Sequence, residues 1–289
     1  DFGDDAIFTP VAFDLNSDFS DSLALNNLIP VTYERLSNNR IVRDNVALFI
    51  ARVQPYNLWM CNFSQYASTT FKGKEFAISG GFTNLSYHKT NLIPMDDSLK
   101  NGKKVSRDDM ISENEYLAFG EEVYAYKGIN LNRNVMILKK TDLPKNQLYS
   151  TQKGFKAIPF EGQDFKSKAD VTLDNYKGKY LFIDFWAVWC GPCMEELPHL
   201  KTMYENMDKS KVEIIGIVGS STPDALESMI EKYGITWTQI LSDEVNTITQ
   251  KYNVYGYPTT FLLDPDGIII AKNLRGKELE NKINELIAE

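Results

Sequence analysis

The sequence predicts an α/β fold for residues 149–289, with a central mixed sheet flanked by helices, preceded by a mainly β (or α+β) domain over residues 1–148. In the first part, asparagine, aspartate and serine separate short apolar or aromatic runs, which is typical of strands joined by turns. In the second part, strand-like apolar runs alternate with helix-length patterns, which indicates βα units. The chain has 289 residues, a length that fits two domains of about 150 residues each.

The first part holds several strand candidates, because β-branched and aromatic residues cluster there in short runs. A helix is predicted over residues 106–119, and the polar, proline-containing residues 143–147 (LPKNQ) are a plausible linker. The predicted strands are residues 31–36, 47–53, 75–79, 122–126 and 135–138. The predicted turns are Gly80-Gly81, Asn101-Gly102 and Asn132-Arg133-Asn134.

The second part is more regular. Asp264-Pro265-Asp266-Gly267 lies between two apolar runs, so these runs are expected to form an antiparallel hairpin at one edge of the sheet. The predicted strands are residues 180–185, 212–218, 237–241, 259–263 and 268–271. The predicted helices are residues 193–207, 223–233, 244–252 and 277–288.

Composition excludes several classes of function. A net charge of −8 argues against a nucleic-acid partner, which favours a basic surface. No apolar run approaches the roughly 18–20 residues that a membrane-spanning helix needs. His88 and His199 lie far apart, and no cysteine–histidine cluster has zinc spacing, so neither a metal nor another cofactor is predicted. The chain starts at Asp1 rather than Met, so we expect that the native start was removed; a signal peptide and a lipoprotein leader are both compatible with this.

Two of the three cysteines, Cys190 and Cys193, form a C-x-x-C motif where a buried strand gives way to a helix. A thiol at a helix N-terminus faces unpaired N–H groups and the positive end of the helix dipole, which favour the thiolate. Gly191 and Pro192 do not crowd the sulfurs, and proline is tolerated in a first helical turn. We therefore predict a reversible disulfide with Cys190 as the exposed nucleophile and Cys193 as the more buried resolving thiol. The alternatives are a structural disulfide or half of a metal site.

The residues around this motif carry a family resemblance. FWAVWCGPC, residues 185–193, resembles the active-site segment of the thioredoxin superfamily. An extra strand and helix over residues 213–237, and YGYPTTFLLDPDG at residues 255–267, resemble the TlpA/ResA-like branch of that superfamily. The resemblance covers about residues 150–289 and implies a thioredoxin fold and thiol–disulfide exchange. It covers none of the first half.

Two acidic residues are candidates for the proton transfer. Asp184 lies within an apolar strand, where loss of solvation raises a carboxyl pKa and makes the group a proton acceptor near neutral pH. Its position matches the buried acid that assists the resolving cysteine in thioredoxins, although a hydrogen-bonded structural aspartate is the alternative. Glu196 matches an acid near the active site of ResA-like proteins, and its alternative role is favourable charge in a first helical turn. Which of the two handles the proton is left open.

The resemblance also implies a substrate-binding surface. Tyr257 and Pro258 are expected to face the motif across a cis peptide bond that leaves the Tyr257 backbone free to pair with a substrate strand. Trp189 is expected to shield the disulfide and to contact substrate together with Gly191 and Pro192. Three further residues nearby are given structural roles: Trp186 in the core, Pro198 within the helix and His199 on the helix surface.

The resemblance implies an enzyme, a protein-disulfide reductase of the thioredoxin type. Its expected partners are protein disulfide substrates and a thiol-reducing electron donor, which a membrane-embedded reducing system would supply. The expected location is the periplasm or another exported compartment, with a lipid anchor as one option.

Other interpretations stay open. The first is oxidation or isomerisation of disulfides, which a reduction potential well above that of thioredoxin would favour. A peroxidase fits less well, because peroxiredoxins share the strand–helix insertion but resemble T-x-x-C at this loop. The last is a binding or sensing protein whose N-terminal domain selects the partner. Its surface anchors would be aromatic residues that more often belong to a core, namely Tyr56, Trp59, Tyr66, Tyr87 and Tyr124. Cys61 is interpreted as a buried small apolar residue.

Overall fold

The computed structural model describes residues 6–10, 12–14, 28–37, 39–53, 58–63, 66–79, 90–97, 110–130 and 132–288. Contacts between Cα atoms divide the chain into two compact units, residues 1–144 and 145–289. This division falls four residues before the boundary predicted between residues 148 and 149. The reason is local: Leu148 is buried, and the backbone of Lys156 bonds to Leu148 and Ser150, so this stretch packs with the second unit.

Strands dominate the described part of the first unit, which confirms the predicted class. The five strands predicted there are confirmed, within β3, β4, β7, β11 and β12. The strands are β1 (Ala6–Pro10), β2 (Ala12–Asp14), β3 (Leu28–Ser37), β4 (Arg40–Val53), β5 (Leu58–Phe63), β6 (Tyr66–Phe71), β7 (Lys74–Ser79), β8 (Asn91–Pro94), β9 (Ile111–Ser112), β10 (Tyr116–Phe119), β11 (Glu122–Asn130) and β12 (Val135–Thr141). Their sheets run in the order β1-β12-β11-β10, β2-β6-β7-β8-β9 and β3-β4-β5.

The helix predicted over residues 106–119 is wrong in its described part. Residues 110–119 contain the short strands β9 and β10 instead. Leu117 is buried while Ala118 is exposed, and this alternation is that of a strand with one face in a core. Gly120 adopts a left-handed conformation, with φ at +61°, in the tight turn that pairs β10 with β11. The pairing with β11 therefore decides the conformation.

Several sequence predictions lie wholly or partly outside the described residues. Of the five aromatic residues considered as surface anchors, Tyr124 has a described side chain. It is 3 % exposed, so it is a core residue and not a surface anchor. The predicted turn at Asn132-Arg133-Asn134 is confirmed. Of three residues the structure describes the backbone alone: Trp59, Cys61 and Tyr66. Outside the description lie Tyr56, Gly80-Gly81, Tyr87, His88 and Asn101-Gly102.

The second unit is built on a five-stranded mixed sheet of order β17-β16-β15-β18-β19. Its central strand, β15, runs parallel to β16 and antiparallel to β18. The predicted hairpin of β18 and β19 is confirmed at one edge, where Gly267 has a φ of +79° in the turn. A small hairpin of β13 and β14 was not predicted. The strands of this unit are β13 (Glu161–Gln163), β14 (Asp170–Thr172), β15 (Tyr180–Trp186), β16 (Val212–Val218), β17 (Gln239–Leu241), β18 (Thr259–Leu263) and β19 (Ile269–Lys272).

Helices lie in the connections from β15 to β16, from β16 to β17 and from β17 to β18, and another follows β19, as predicted. The helix expected over residues 244–252 is a single turn, because Asp243 accepts hydrogen bonds from the N–H groups of Val245 and Asn246 and so holds a turn before it. No helix among the described ranges is long and apolar enough to cross a membrane. The helices are α1 (Gly191–Asn206), α2 (Pro223–Tyr233), α3 (Ile248–Lys251) and α4 (Gly276–Ala288).

Two hydrophobic clusters cover the two faces of this sheet. Side chains alternate between the faces along β15. Phe182 and Trp186 pack in one cluster together with Cys193, while Ile183 and Phe185 pack in the other. Asp184 lies between Phe182 and Trp186 in this alternation, so its carboxyl points to the face that carries the cysteines.

Candidate active site

The two cysteines lie where β15 ends and α1 begins, and they form a disulfide in this structure. Their Cα atoms are 5.2 Å apart, within the usual range for a disulfide. Cys190 is the N-cap of α1: its backbone is extended, with φ −81° and ψ 103°, and its Sγ accepts a hydrogen bond from the Cys193 N–H at 3.2 Å. A sulfur in this place meets the unpaired N–H groups and the positive dipole end of a 16-residue helix. The helix start therefore stabilises negative charge on Cys190 when the disulfide opens.

The expectation of an exposed Cys190 is wrong for the disulfide form. Cys190 is 4 % exposed and Cys193 is 3 % exposed. Both belong to the cluster that contains Trp186 and Ala187. The Cys190 sulfur accepts the Cys193 N–H in the first turn of α1, and the contrast in exposure that the sequence predicts is absent in this disulfide form.

Gly191 and Pro192 form the exposed side of the disulfide loop. A Cβ added at Gly191 would meet no atom within 4 Å, so the space beside the sulfurs is open on this side. Pro192 falls in the first turn of α1, where a backbone N–H would have no intrahelical partner, so the missing N–H of proline costs nothing. This side of the disulfide loop therefore faces solvent.

Asp184 is a buried acid at the centre of the sheet. It is 5 % exposed, and its neighbours across the ladder are Gly216 on β16 and Thr260 on β18. The pKa of Asp184 is raised from 3.8 to about 7: burial is the largest cause, the negative charge of Glu196 also raises it, and the positive charge of Arg275 lowers it. The carboxyl therefore exchanges a proton in the neutral pH range.

Glu196 connects α1 to α4. Its Oε1 accepts a hydrogen bond from the Gly276 N–H at 2.7 Å, which caps the first residue of α4. His199 lies next to it, with Nδ1 at 3.5 Å from Glu196 Oε1 and Nε2 at 3.6 Å from Glu280 Oε2. His199 is thus held between two helices rather than on an open helix surface. The Glu196 carboxylate combines a structural contact with an electrostatic effect on Asp184.

The Tyr257–Pro258 peptide bond is cis, as predicted. Trp189 lies against this segment, with its ring centroid 5.7 Å from that of Tyr257 in an edge-to-face arrangement. The Trp189 Nε1–H donates to the Ser220 carbonyl at 2.9 Å, yet the residue is 64 % exposed. The structure therefore places a fixed and solvent-facing aromatic ring beside the disulfide.

Two features of the site were missed at the sequence level. Arg275 donates from Nη2 to the Pro258 carbonyl at 2.8 Å; its position in a short loop before a helix carries no sequence signal. Gln239 accepts a hydrogen bond from the buried Trp186 Nε1–H at 2.9 Å. A Cβ at Gly216 would lie 2.1 Å from the Gln239 Oε1. A single glycine within an apolar strand is the signal that predicts such a close approach.

The structure brings together most of the predicted site residues on β15, on α1 and at the junction between them: Asp184, Trp189, Cys190, Gly191, Pro192, Cys193 and Glu196. The cis-proline segment of Tyr257 and Pro258 joins them through Trp189 and Arg275. Pro198 lies inside α1. Within the residues that the structure describes, no group of three or more His, Cys, Asp or Glu side chains lies close enough to hold a metal ion.

Comparison with known proteins gives the same picture for the second unit. The AhpC/TSA family model matches residues 154–272. The thiol-disulfide oxidoreductase ResA of Bacillus thuringiensis subsp. konkukian is 30 % identical over 134 residues, which are 46 % of this chain and 76 % of that protein. The thiol-disulfide oxidoreductase ResA of Bacillus subtilis is 30 % identical over 136 residues, which are 47 % of this chain and 74 % of that protein.

Solved structures match about the same share of the chain. The thioredoxin domain of a thiol-disulfide oxidoreductase from Bacteroides vulgatus is 30 % identical, and the match covers 49 % of this chain and 99 % of that one with a TM-score of 0.44. A thiol-disulfide oxidoreductase from Bacteroides fragilis is 27 % identical, with coverages of 45 % and 98 % and a TM-score of 0.40.

Proposed function

We propose that this chain, which belongs to the ResA family of thiol–disulfide oxidoreductases, reduces disulfide bonds of other proteins through Cys190 and Cys193. The observation that carries the proposal is the C-x-x-C disulfide at the N-terminus of α1, on the same face of the sheet as a buried carboxyl whose pKa is about 7. A structural disulfide needs neither the helix dipole nor a proton acceptor.

The first step is attack by the Cys190 thiolate on one sulfur of a substrate disulfide. The substrate S–S bond breaks, one sulfur stays bonded to Cys190, and the other leaves as a thiolate that takes up a proton. The N–H groups at the start of α1 stabilise the attacking thiolate. Cys190 is the N-cap and Cys193 lies one turn inside the helix, which supports Cys190 as the attacking residue.

The second step is attack by Cys193 on the Cys190 sulfur. Cys193 loses its proton to Asp184, the mixed disulfide breaks, and the second substrate sulfur leaves as a thiolate. Two electrons have then passed to the substrate, and the Cys190–Cys193 disulfide of this structure is the product. Asp184 is preferred over Glu196 as the acceptor because the Glu196 carboxylate already accepts the Gly276 N–H, while Asp184 shares the face of β15 that packs on Cys193.

The substrate binds across Trp189, Gly191, Pro192 and the Tyr257–Pro258 segment. The exposed Trp189 ring supplies apolar contact area, and the open space at Gly191 leaves room for an incoming chain. Apolar contacts of this kind tolerate varied sequences, whereas pairing with the backbone orients an extended strand.

Reduction of a substrate leaves this protein oxidised, so a second partner must return two electrons to Cys190 and Cys193. We assign this to a thiol-reducing donor, embedded in a membrane if the chain works outside the cytoplasm. An exported or periplasmic location, with or without a lipid anchor, fits a disulfide that has to be reduced repeatedly in an oxidising compartment.

The direction of electron flow is tested by the reduction potential of the Cys190–Cys193 pair. A reductant is expected near the value of thioredoxin, about −270 mV. The measurement is equilibration against glutathione mixtures, with the thiol state read by alkylation and mass. A value above about −180 mV, where disulfide isomerases and oxidants lie, would move the function to oxidation or isomerisation.

Trapping tests the roles of the two cysteines. In Cys193→Ser the second step is missing, so mixed disulfides with substrate proteins should accumulate on Cys190 and identify the substrates by mass spectrometry. The matched control is Cys190→Ser, which should trap nothing, and both variants are made in a Cys61→Ser background. If Cys190→Ser accumulates the adducts instead, the assignment of nucleophile and resolving thiol is reversed. If neither variant forms adducts with any disulfide, the proposed function is wrong.

A further inference from the structure

Arg275 lies in the loop between β19 and α4 and contacts the cis-proline segment. Its Nη2 donates to the Pro258 carbonyl at 2.8 Å. Pro258 immediately precedes β18, whose Thr260 pairs with Asp184 on the central strand. The Thr260 hydroxyl donates to the carbonyl of Leu274, the residue before Arg275, at 3.1 Å. The loop that carries Arg275 is therefore tied to the strand that pairs with Asp184, although Arg275 itself is exposed to solvent.

The residue that follows Arg275 makes the second connection. The Gly276 N–H donates to Glu196 Oε1 at 2.7 Å, so two consecutive residues tie the loop to the cis-proline segment and to α1. Two charged groups act on Asp184: the carboxylate of Glu196 from α1, and the guanidinium of Arg275 from this loop. Their effects on the pKa of Asp184 are opposite in sign, Glu196 raising it and Arg275 lowering it.

We propose that Arg275 is a positioning residue for the exchange reaction: it holds the Pro258 carbonyl in place and sets the pH range in which Asp184 accepts the Cys193 proton. This inference rests on the proposed function, since it deepens the second step. It assigns to a loop residue the positive charge that opposes the effect of Glu196 on Asp184.

The chemistry of the side chain suits this task. A guanidinium stays charged throughout the range in which thiols and carboxyls titrate, so its effect on Asp184 is constant. Its planar fork donates one N–H to Pro258 and retains others for neighbouring acceptors. A positive charge near a buried carboxylate favours the ionised form, which is the form that takes the proton. Without that charge, burial and Glu196 together would leave Asp184 protonated over more of the neutral range.

A purely structural role is the competing explanation, because the contact with Pro258 would also hold the loop. The two explanations differ in what Lys and Gln do at this position. Arg275→Lys keeps a positive charge and loses the planar fork, whereas Arg275→Gln keeps one N–H donor and loses the charge. Lys277→Gln is the matched control, since it removes a positive charge two residues further on, from a side chain that is 81 % exposed and paired with Glu280.

The first measurement is the titration of the Asp184 side-chain carboxyl by carbon NMR in the full-length oxidised protein, where the disulfide cysteines do not titrate. Arg275→Gln should raise the titration midpoint of Asp184 by about half a pH unit or more. Arg275→Lys should move it by less than half as much, and Lys277→Gln should leave it within about 0.2 pH units of the unmodified chain. The proposal is overturned if Arg275→Gln leaves the midpoint unchanged, or if Arg275→Lys or Lys277→Gln shifts it as far as Arg275→Gln.

The second measurement is the pH dependence of disulfide reduction in single turnover, with Asp184→Asn measured beside the Arg275 variants. The proposal requires the rate profile of Arg275→Gln to move to higher pH together with the Asp184 titration. A shifted titration with an unshifted rate profile overturns it. Asp184→Asn then shows whether the failure concerns Arg275 alone or also the proposed function. If Asp184→Asn removes the pH-dependent step, only the role of Arg275 is wrong. If its pH profile matches that of the unmodified chain, the role of Asp184 as proton acceptor is wrong as well.

Discussion

Both units of the chain bury an ionisable side chain in a β-sheet, and the two cases differ in what burial does. In the second unit, burial is the main cause that raises the pKa of Asp184 to about 7. In the first unit, Tyr126 is fully buried on β11, and burial raises its pKa above the ordinary tyrosine value of 10.0. The Tyr126 hydroxyl bonds to Thr90 Oγ1, which also bonds to Glu113 Oε1. Tyr126 stays neutral at every pH at which the protein works, whereas Asp184 changes charge.

This difference separates a structural group from a reactive one. A buried hydroxyl with a partner contributes modestly to stability and does nothing else. A buried carboxylate costs stability whenever it is ionised, and such a cost is commonly retained at a functional site. The chemistry of the chain is accordingly expected in the second unit, on the face of the sheet that carries Asp184.

The cysteines of the two units also differ in whether their surroundings favour a reactive group. Cys61 lies within strand β5, where its backbone pairs with that of Ile50 on β4. Cys190 lies at the N-terminus of a helix with a partner sulfur three residues away. Strand ladders provide no net dipole for a thiolate, and helix termini do.

The largest predicted effect is the loss of the nucleophile. Cys190→Ser should lower the rate of disulfide reduction by about a thousandfold or more, because a hydroxyl of high pKa replaces the thiolate. Cys61→Ser is the control and should leave the rate within about twofold. The rates are measured by stopped-flow with a fluorescent disulfide substrate. A large loss of activity in Cys61→Ser would break the contrast between the two units.

The next effect concerns stability and pH. The native-state pKa of Asp184 is about 7 against 3.8 for a free aspartate, so the native state binds a proton that the unfolded state releases between these values. Stability therefore falls as the pH rises from about 4 to 7, and the loss is complete above pH 7. Asp184→Asn removes the effect and should stabilise the second unit at pH 8 by up to about 4 kcal/mol, with little change at pH 4.

Asp208 provides the matched control for this measurement. Hydrogen bonds from the Ser210 hydroxyl and N–H hold the pKa of Asp208 below its usual value. Asp208→Asn should therefore destabilise the unit slightly at pH 8, the opposite sign to Asp184→Asn. Denaturant titrations followed by NMR signals from residues 145–289 keep this transition apart from that of the first unit. Equal effects of Asp184→Asn at pH 4 and pH 8 would contradict the argument.

The sequence predicted those parts of the molecule that local pattern decides. Apolar runs identified β15, β16 and β18, and the C-x-x-C spacing identified the disulfide. Resemblance to the thioredoxin superfamily supplied the cis bond before Pro258. The predicted helix at residues 106–119 failed because pairing of β10 with β11, a tertiary effect, outweighs local preference there.

The missed parts depend on contacts between residues distant in sequence. Arg275 and Pro258 are 17 residues apart, and Gly276 and Glu196 are 80 apart. No periodicity or spacing reports such a pair. The burial of Cys190 was also missed, because it depends on packing in the core cluster that contains Trp186 and Ala187 rather than on the motif itself.

A smaller effect is expected at Glu196, where two variants separate its two roles. Glu196→Gln removes the charge and keeps an oxygen that accepts the Gly276 N–H. Because the negative charge of Glu196 raises the pKa of Asp184, the pH profile of exchange should move to lower pH, opposite to Arg275→Gln. Glu196→Ala also removes the cap of α4 and should cost about 1 kcal/mol more than Glu196→Gln. A profile that moves to higher pH in Glu196→Gln would show that the sign of the interaction is wrong.

The smallest effect is predicted for a substitution of the buried Tyr126 in the first unit. Tyr126→Phe removes one hydrogen bond to Thr90, whose hydroxyl keeps Glu113 as a partner, so the first unit should lose about 1 kcal/mol of stability. The variant should leave both the exchange rate and the titration of Asp184 unchanged, since Tyr126 carries no charge in this pH range. Amide hydrogen exchange in β11 and β12 measures the loss, and the stopped-flow assay measures the rate. A Tyr126→Phe variant with altered exchange kinetics would mean that buried groups of the first unit influence the chemistry, and the distinction drawn between structural and reactive burial would then fail.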